Sequence, residues 1–201
     1  MTSKGATELS SFEFSSENIE RAHKIIAKYP DGRQASAVMP LLDLAQRQSG
    51  GWLPTAAIEY VADFLDMPTM RAFEVASFYT MYKLKPVGRH NVQVCTTTPC
   101  WLRGSDDVVE ACRQNLGIGL GETTADGEFS LSEVECLGAC VNAPMAQIND
   151  DYYEDLDAER TDALLDALKR GEKPAPGSQS GRQMSAPAGP RTSLIKEPGG
   201  V

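Results

Sequence analysis

Two short stretches hold four cysteines whose types and spacing invite chemistry. They are VCTTTPCWLRGS, with Cys95 and Cys100, and VECLGACVNAPM, with Cys136 and Cys140. The first pair spans four intervening residues, the second spans three, and thirty-five residues separate the pairs. Thiolates are soft ligands suited to zinc or iron–sulfur centres. A catalytic C-x-x-C redox pair is absent. Structural zinc accepts four thiolates in a tetrahedron, but its pairs are usually the tighter C-x2-C. A 2Fe–2S cluster also takes four thiolates, two per iron, and its longer body suits wider pairs. The spacing is not the plant-type ferredoxin pattern, so the surroundings must decide.

Those surroundings favour iron–sulfur over zinc. A 2Fe–2S cluster with four thiolates carries a formal charge of about -2 oxidised and about -3 reduced, and its potential depends on hydrogen bonds to sulfur and on burial. Thr96, Thr97 and Thr98 offer hydroxyls and amides beside Cys95. Gly138 lets the second loop approach closely or take positive φ. Pro99 and Pro144 stiffen the two loops, and Trp101 and Met145 are placed to shield the site from water. Glu133 and Glu135 add negative charge nearby and oppose reduction.

The elements that must position these residues fall into three regions. Up to about residue 85 the apolar spacing predicts short helices. Ile19, Ala22, Ile25 and Ile26 form one stripe, ended by Tyr29-Pro30; Val38, Leu41, Leu42 and Ala45 form the next, with Pro40 near its start. Pro54 opens a third helix with Ile58, Val61 and Leu65 inward, and Pro68 a fourth with Met70, Phe73 and Ser77 on one face. The aromatic run from Ala76 to Tyr82 reads first as core, with packing against the next region or a partner as the alternative. Next, Val92 and Val94 alternate in a strand that delivers Cys95, and a helix opens at Gly104 or Ser105 with Asp106 and Asp107 in its first turn. Phe129 and Leu131 mark a strand leading to Cys136. Asn149 to Asp151 reads as a hairpin turn, and Asp157 caps a last helix stopped by Gly171. The order β-α-β-β-α predicts a small open sheet with helices on it. The final stretch from Glu172 is rich in Gly and Pro, with little to bury, and reads as extended or disordered, or as a strap along a partner.

Composition narrows the function. The 201 residues are 41% hydrophobic and 23% charged, with a net charge of -9, as in a globular domain with an appendage. That charge argues against nucleic-acid binding, which needs clustered Lys and Arg. No apolar run approaches the ~20 residues of a membrane span. The N-terminus shows neither an apolar h-region nor an Arg-rich transit pattern, so a reducing cytosolic setting is expected, where paired cysteines serve metals or redox centres rather than disulfides.

Other signals are weaker. Cys112 lies on the apolar face of the predicted helix with Val108 and Leu116 and reads as a small core residue. GIGLGE at Gly117 to Glu122 fails the dinucleotide spacing and follows a helix rather than a strand. His23 and His90 are too isolated to suggest catalysis. Asp150, Asp151, Glu154 and Asp155 lack EF-hand spacing and read as a solvated turn. The chain thus has a candidate one-electron carrier and no recognisable site for NADH or flavin.

QVCTTTPCWLRGS together with EVECLGACVNAPMAQINDDYYEDL resembles the thioredoxin-like 2Fe–2S subunit (the E-type subunit) of the NADH-oxidising module of bacterial respiratory complex I. The similarity runs from about Ser16 to Gly171 and takes in LAQRQSGGWLP and VASFYTMY. The resemblance implies an α+β chain, a helical bundle segment at 16–85 followed by a thioredoxin-like 2Fe–2S ferredoxin domain at 86–171; outside it lie a flexible N-terminus at 1–15 and a Gly/Pro-rich tail at 172–201 that its composition makes extended or disordered. It also implies one 2Fe–2S cluster, with Cys95 and Cys100 on one iron and Cys136 and Cys140 on the other. By the same resemblance the chain is an electron-transfer subunit of NADH:quinone oxidoreductase that exchanges single electrons with FMN and does not oxidise NADH alone. FMN and NADH lie on a partner flavin- and NADH-binding subunit, with a larger iron–sulfur subunit also adjacent, on the cytoplasmic side of the inner membrane. The same module occurs in flavin-linked hydrogenases and formate dehydrogenases, and a zinc-bearing scaffold is the alternative from another class.

Overall fold

The computed structural model describes residues 11–187 and 189–190, in two compact units divided between Arg89 and His90. The first unit is helical: α1 (Ser16–Ile26), α2 (Val38–Gln48), α3 (Thr55–Phe64) and α4 (Thr69–Phe78). Ser15 caps α1 by accepting from the Asn18 amide, and Pro54 and Pro68 stand at the N-caps of α3 and α4. Pro40 falls in the first turn of α2, where its missing N–H costs nothing. Val38, Leu41, Leu42 and Ala45 of α2 and Ile58, Val61 and Leu65 around α3 are buried together. The core extends further towards the N-terminus than the apolar periodicity indicates. Phe14 is buried, and it meets Tyr60 and Phe64 edge to face. Residues 11–15 therefore belong to the helical unit, while residues 1–10 lie outside the described residues.

Two expectations for the fourth helix change. Met70 is 70% exposed, and α4 buries Ala72 and Ala76 instead, because two small residues let it sit close to its neighbours. The run after it is core only at its ends. Ala76 and Tyr82 are buried, but Phe78, Tyr79 and Met81 are exposed. Tyr82 donates its hydroxyl to the Met39 carbonyl at 2.8 Å, which satisfies the polar end of an otherwise buried ring.

The second unit is a six-stranded sheet with three helices. Its strands are β1 (His90–Cys95), β2 (Glu122–Thr123), β3 (Phe129–Val134), β4 (Met145–Ile148), β5 (Asp151–Glu154) and β6 (Gly177–Ser178), in spatial order β2-β3-β1-β4-β5-β6. The helices are α5 (Thr98–Leu102), α6 (Ser105–Leu116) and α7 (Ala158–Lys169). β1 and β3 are parallel neighbours, with Cys95 opposite Val134, and α6 makes the crossover between them. β4 returns antiparallel on the other side of β1, and Asn149-Asp150 turns tightly into β5. Asn149 takes φ 55°, which Asn tolerates. Val92, Leu131, Ile148 and Tyr153 from the sheet form one core with Val108 and Cys112 of α6 and Leu164, Leu165 and Leu168 of α7. Asp157 caps α7 by accepting from the Arg160 amide at 2.8 Å. Among the described residues no helix is long and apolar enough to cross a membrane.

The described part of the tail is largely without helix and is anchored to its own sheet. Gly177 and Ser178 pair with Tyr153 and Glu154, parallel to β5, and the Gln179 amide donates to the Glu154 carbonyl at 2.9 Å. The stretch of the tail from residue 191 onward lies outside the described residues.

Leu131 is 1% exposed at the centre of the second core. Leu131→Ala should lower stability by about 2–5 kcal/mol, measured as a lower urea midpoint with an unchanged slope.

Candidate iron–sulfur site

The parallel pairing of β1 and β3 sends both chains out of the sheet at the same edge, so the two cysteine pairs emerge side by side. Cys95 ends β1 and is buried. The chain then turns at Thr96-Thr97 into α5, a single short helix begun by Thr98-Pro99, which carries Cys100 back inward; Cys100 is also buried. Cys136 follows β3 by two residues, and Cys140 opens a short 3-10 turn; both are exposed. Gly138 between them adopts φ 85°, a backbone state that a side chain would strain. The expectation of positive φ at Gly138 holds, and α5 forms where the sequence predicts only a loop.

The thiols form two pairs. Cys136 Sγ and Cys140 Sγ lie 3.3 Å apart, close to the ~3.7 Å expected of two sulfurs on one tetrahedral metal with bonds near 2.3 Å. Cys95 and Cys100 are buried together in one small cluster, and the Cys95 charge acts on both Cys100 and Cys136. Among the described residues no three His, Cys, Asp or Glu side chains gather tightly enough to hold a single metal ion. Two adjoining pairs suit a two-iron cluster better than one zinc.

Around the sulfurs the polypeptide presents N–H and O–H donors. Burial pushes the Cys95 thiol up, but the Thr97 hydroxyl and amide, the Cys100 thiol and the Leu137 amide together hold it below the ordinary thiol range. Thr97 Oγ1 stands 3.3 Å from Cys95 Sγ. Burial, then the Cys95 partner, push Cys100 up to about 12, and the Met145 amide works against them. The Gly138 amide and the Cys140 thiol lower Cys136, while Cys136 raises Cys140. Within each pair one thiol is shifted down and the other up by its partner and its surroundings. Donors from Thr97, Leu137, Gly138 and Met145 form a preorganised shell for anionic sulfur.

Packing closes one side only. Cys95 and Cys100 pack with Ala143 and Met145, with Leu137, Ala139 and Tyr152 at the margin. Met145 shields the site as expected. Trp101 does not, because it is 57% exposed and takes no part in the buried pair's apolar cluster. Leu102 and Val141 are exposed as well, and Glu133 and Glu135 also lie at the surface. Tyr152 donates its hydroxyl to the Leu137 carbonyl at 2.9 Å and anchors the second loop.

Cys112 is separate from this group. It is buried on α6 inside the sheet core, and burial with the Asp162 charge raises its thiol to about 12. The core role expected from its helical face holds.

Similarity to known proteins agrees with this site. The profile of the thioredoxin-like [2Fe-2S] ferredoxin family matches residues 22–169. The E-type subunit of NADH-quinone oxidoreductase from Rickettsia bellii (strain RML369-C) is 61% identical over 163 residues, 81% of this chain and 98% of that protein. NADH dehydrogenase [ubiquinone] flavoprotein 2, mitochondrial, of Dictyostelium discoideum is 50% identical over 189 residues, 94% of this chain and 76% of that protein. Among solved structures, NAD+-reducing [NiFe]-hydrogenase in the air-oxidised state superposes with a TM-score of 0.57 at 25% identity, covering 65% of this chain and 23% of the hydrogenase chain. Profile, relatives and the donor-lined thiol pairs agree: this chain belongs to the thioredoxin-like [2Fe-2S] ferredoxin family, and its cofactor is a 2Fe–2S cluster.

Proposed function

We propose that this chain is the electron-transfer subunit of an NADH-quinone oxidoreductase, with Cys95 and Cys100 binding one iron and Cys136 and Cys140 the other. The observation that carries this reading is the convergence of two thiol pairs at one sheet edge, in a chain 61% identical to a subunit of that oxidoreductase along nearly the subunit's whole length. A bound 2Fe–2S cluster supplies a one-electron change. NADH gives up a hydride, so a flavin on a separate NADH-binding subunit must divide the electron pair. That subunit and the larger iron–sulfur subunit of the same module are the partners, and the assembly lies peripherally on the cytoplasmic side of the inner membrane.

In this reading the residues here hold and tune rather than catalyse. The four thiolates grip the irons, and the amides of Leu137, Gly138 and Met145 with the Thr97 hydroxyl favour negative charge on sulfur. Ala143 and Met145 exclude water from the buried side. The exposed Cys136–Cys140 side, next to the exposed Val141, is where the flavin of the NADH-binding subunit is approached.

A related assembly, an NAD+-reducing hydrogenase, is favoured by the structural superposition at TM-score 0.57, and the much higher identity to the quinone-reductase subunit outweighs it. Affinity purification of the tagged chain from its own cells should bring membrane subunits of a quinone reductase. Recovery of a nickel–iron protein instead would reverse that choice.

Cys→Ser at position 95, 100, 136 or 140 should remove or alter the cluster, read as iron and acid-labile sulfide per chain and as the EPR spectrum of the reduced, anaerobically purified protein. Cys112→Ser should leave both unchanged. A colourless parent protein with stoichiometric zinc would overturn the assignment in favour of a scaffold. Thr97→Val removes one donor to sulfur and should lower the cluster's midpoint potential by roughly 60 mV, the one-electron equivalent of about 1.4 kcal/mol.

A further inference from the structure

The second cysteine loop is held from two ends, and the far end is held by the C-terminal tail. At the near end Tyr152 bonds the Leu137 carbonyl. At the far end, immediately after Cys140, the Val141 carbonyl accepts from Arg182 Nη2 at 2.8 Å. The same guanidinium makes a two-pronged pair with Asp155, Nη2 to Oδ1 at 2.7 Å and Nε to Oδ2 at 3.2 Å. Both partners are largely withdrawn from water, with side chains 11% and 14% exposed. The next residue of the loop, Asn142, is buried and donates Nδ2 to the Met184 carbonyl at 2.8 Å. Asp155 completes the junction: its own amide donates to the Asn142 carbonyl at 2.8 Å, and its Oδ2 accepts from the Ser178 hydroxyl at 2.6 Å. Asp155 takes φ 54° at the exit of β5, a cost that such a junction has to offset.

These bonds share one geometry. β6 aligns the tail with β5, Ser178 and Arg182 fasten it to Asp155, and Arg182 and Met184 then reach over to the two residues that follow Cys140. An arginine is suited to this place, because one planar fork serves a carboxylate and a carbonyl together. We propose that residues 177–184 form an intramolecular strap that holds the Cys140 side of the cluster site, with Arg182 as the positioning residue that sets where Cys140 stands relative to Cys136. This rests on the ligand assignment proposed above. The strap acts through Val141 and Asn142. Groups that orient metal ligands typically affect metal affinity by about 10–100-fold.

The test uses the full-length, cluster-loaded chain and its Arg182→Gln and Arg182→Lys variants. Three quantities are read: the EPR line shape of the reduced protein, the midpoint potential, and the rate of cluster loss to excess chelator. Arg182→Gln should lose its cluster about tenfold faster, with a changed line shape and a lower potential, since Asp155 is left as an unpaired anion. Arg182→Lys restores the charge and should recover the potential, but not the release rate, because a single ammonium cannot reproduce the fork. A tail that merely adds stability would lower the unfolding temperature of Arg182→Gln and leave line shape, potential and release rate at parental values, and this result would overturn the proposal. If Arg182→Gln does not fold, the release rate of Arg182→Lys decides: a parental value overturns the strap. A parent chain that holds no cluster would instead overturn the ligand assignment itself.

Discussion

The site depends on one pairing, that of β1 with β3 in parallel register. Cys95 lies opposite Val134, so the loops that follow both strands leave the sheet at the same edge. An antiparallel arrangement would send the Cys95 loop and the Cys136 loop to opposite ends. Parallel strands need a crossover, and α6 supplies it, seating Val108 and Cys112 on the sheet that positions the sulfurs. The thirty-five residues between the cysteine pairs are mostly this crossover with β2 and β3. The core that stabilises the domain and the geometry that gathers the thiols are therefore the same packing.

The site itself is asymmetric. One thiol pair is buried against Met145 and Ala143, and the other faces outward. Burial of anionic sulfur is tolerable because backbone amides and one threonine hydroxyl point at it. The outward pair leaves a short path to another chain, as an electron carrier requires. Exposed apolar side chains follow both cysteine pairs in the chain, Trp101 and Leu102 after Cys100 and Val141 after Cys140. A second exposed group, Phe78, Tyr79 and Met81, lies on the helical unit. Both belong to a chain built to sit against partners.

The tail shows how composition can be read correctly and still incompletely. Gly, Pro and Ser predict an extended segment with no core of its own, and the described part of that segment is largely without helix. Its order comes from elsewhere: one strand pairing, one withdrawn ion pair and two bonds to the residues that follow Cys140. Asp155 reads in sequence as part of a solvated acidic turn because its partner is Arg182, and nothing in their separate surroundings links the two.

Much of this protein is local in origin and therefore legible in the chain itself. The prolines at helix starts, the cap at Asp157, the strand into Cys95 and the positive φ of Gly138 are dictated within a few residues. The cysteine spacing and its neighbours are enough to choose an iron–sulfur reading. Tertiary structure decided what no local window contains: that β1 and β3 run side by side, that one thiol pair is buried and the other exposed, that Met70 and Trp101 face outward, and that Tyr152 and Arg182 steady a loop far from them in sequence. The reason is physical. Turn and helix preferences are set by a residue's own backbone and near neighbours, whereas burial and hydrogen-bond partners exist only once distant segments have met.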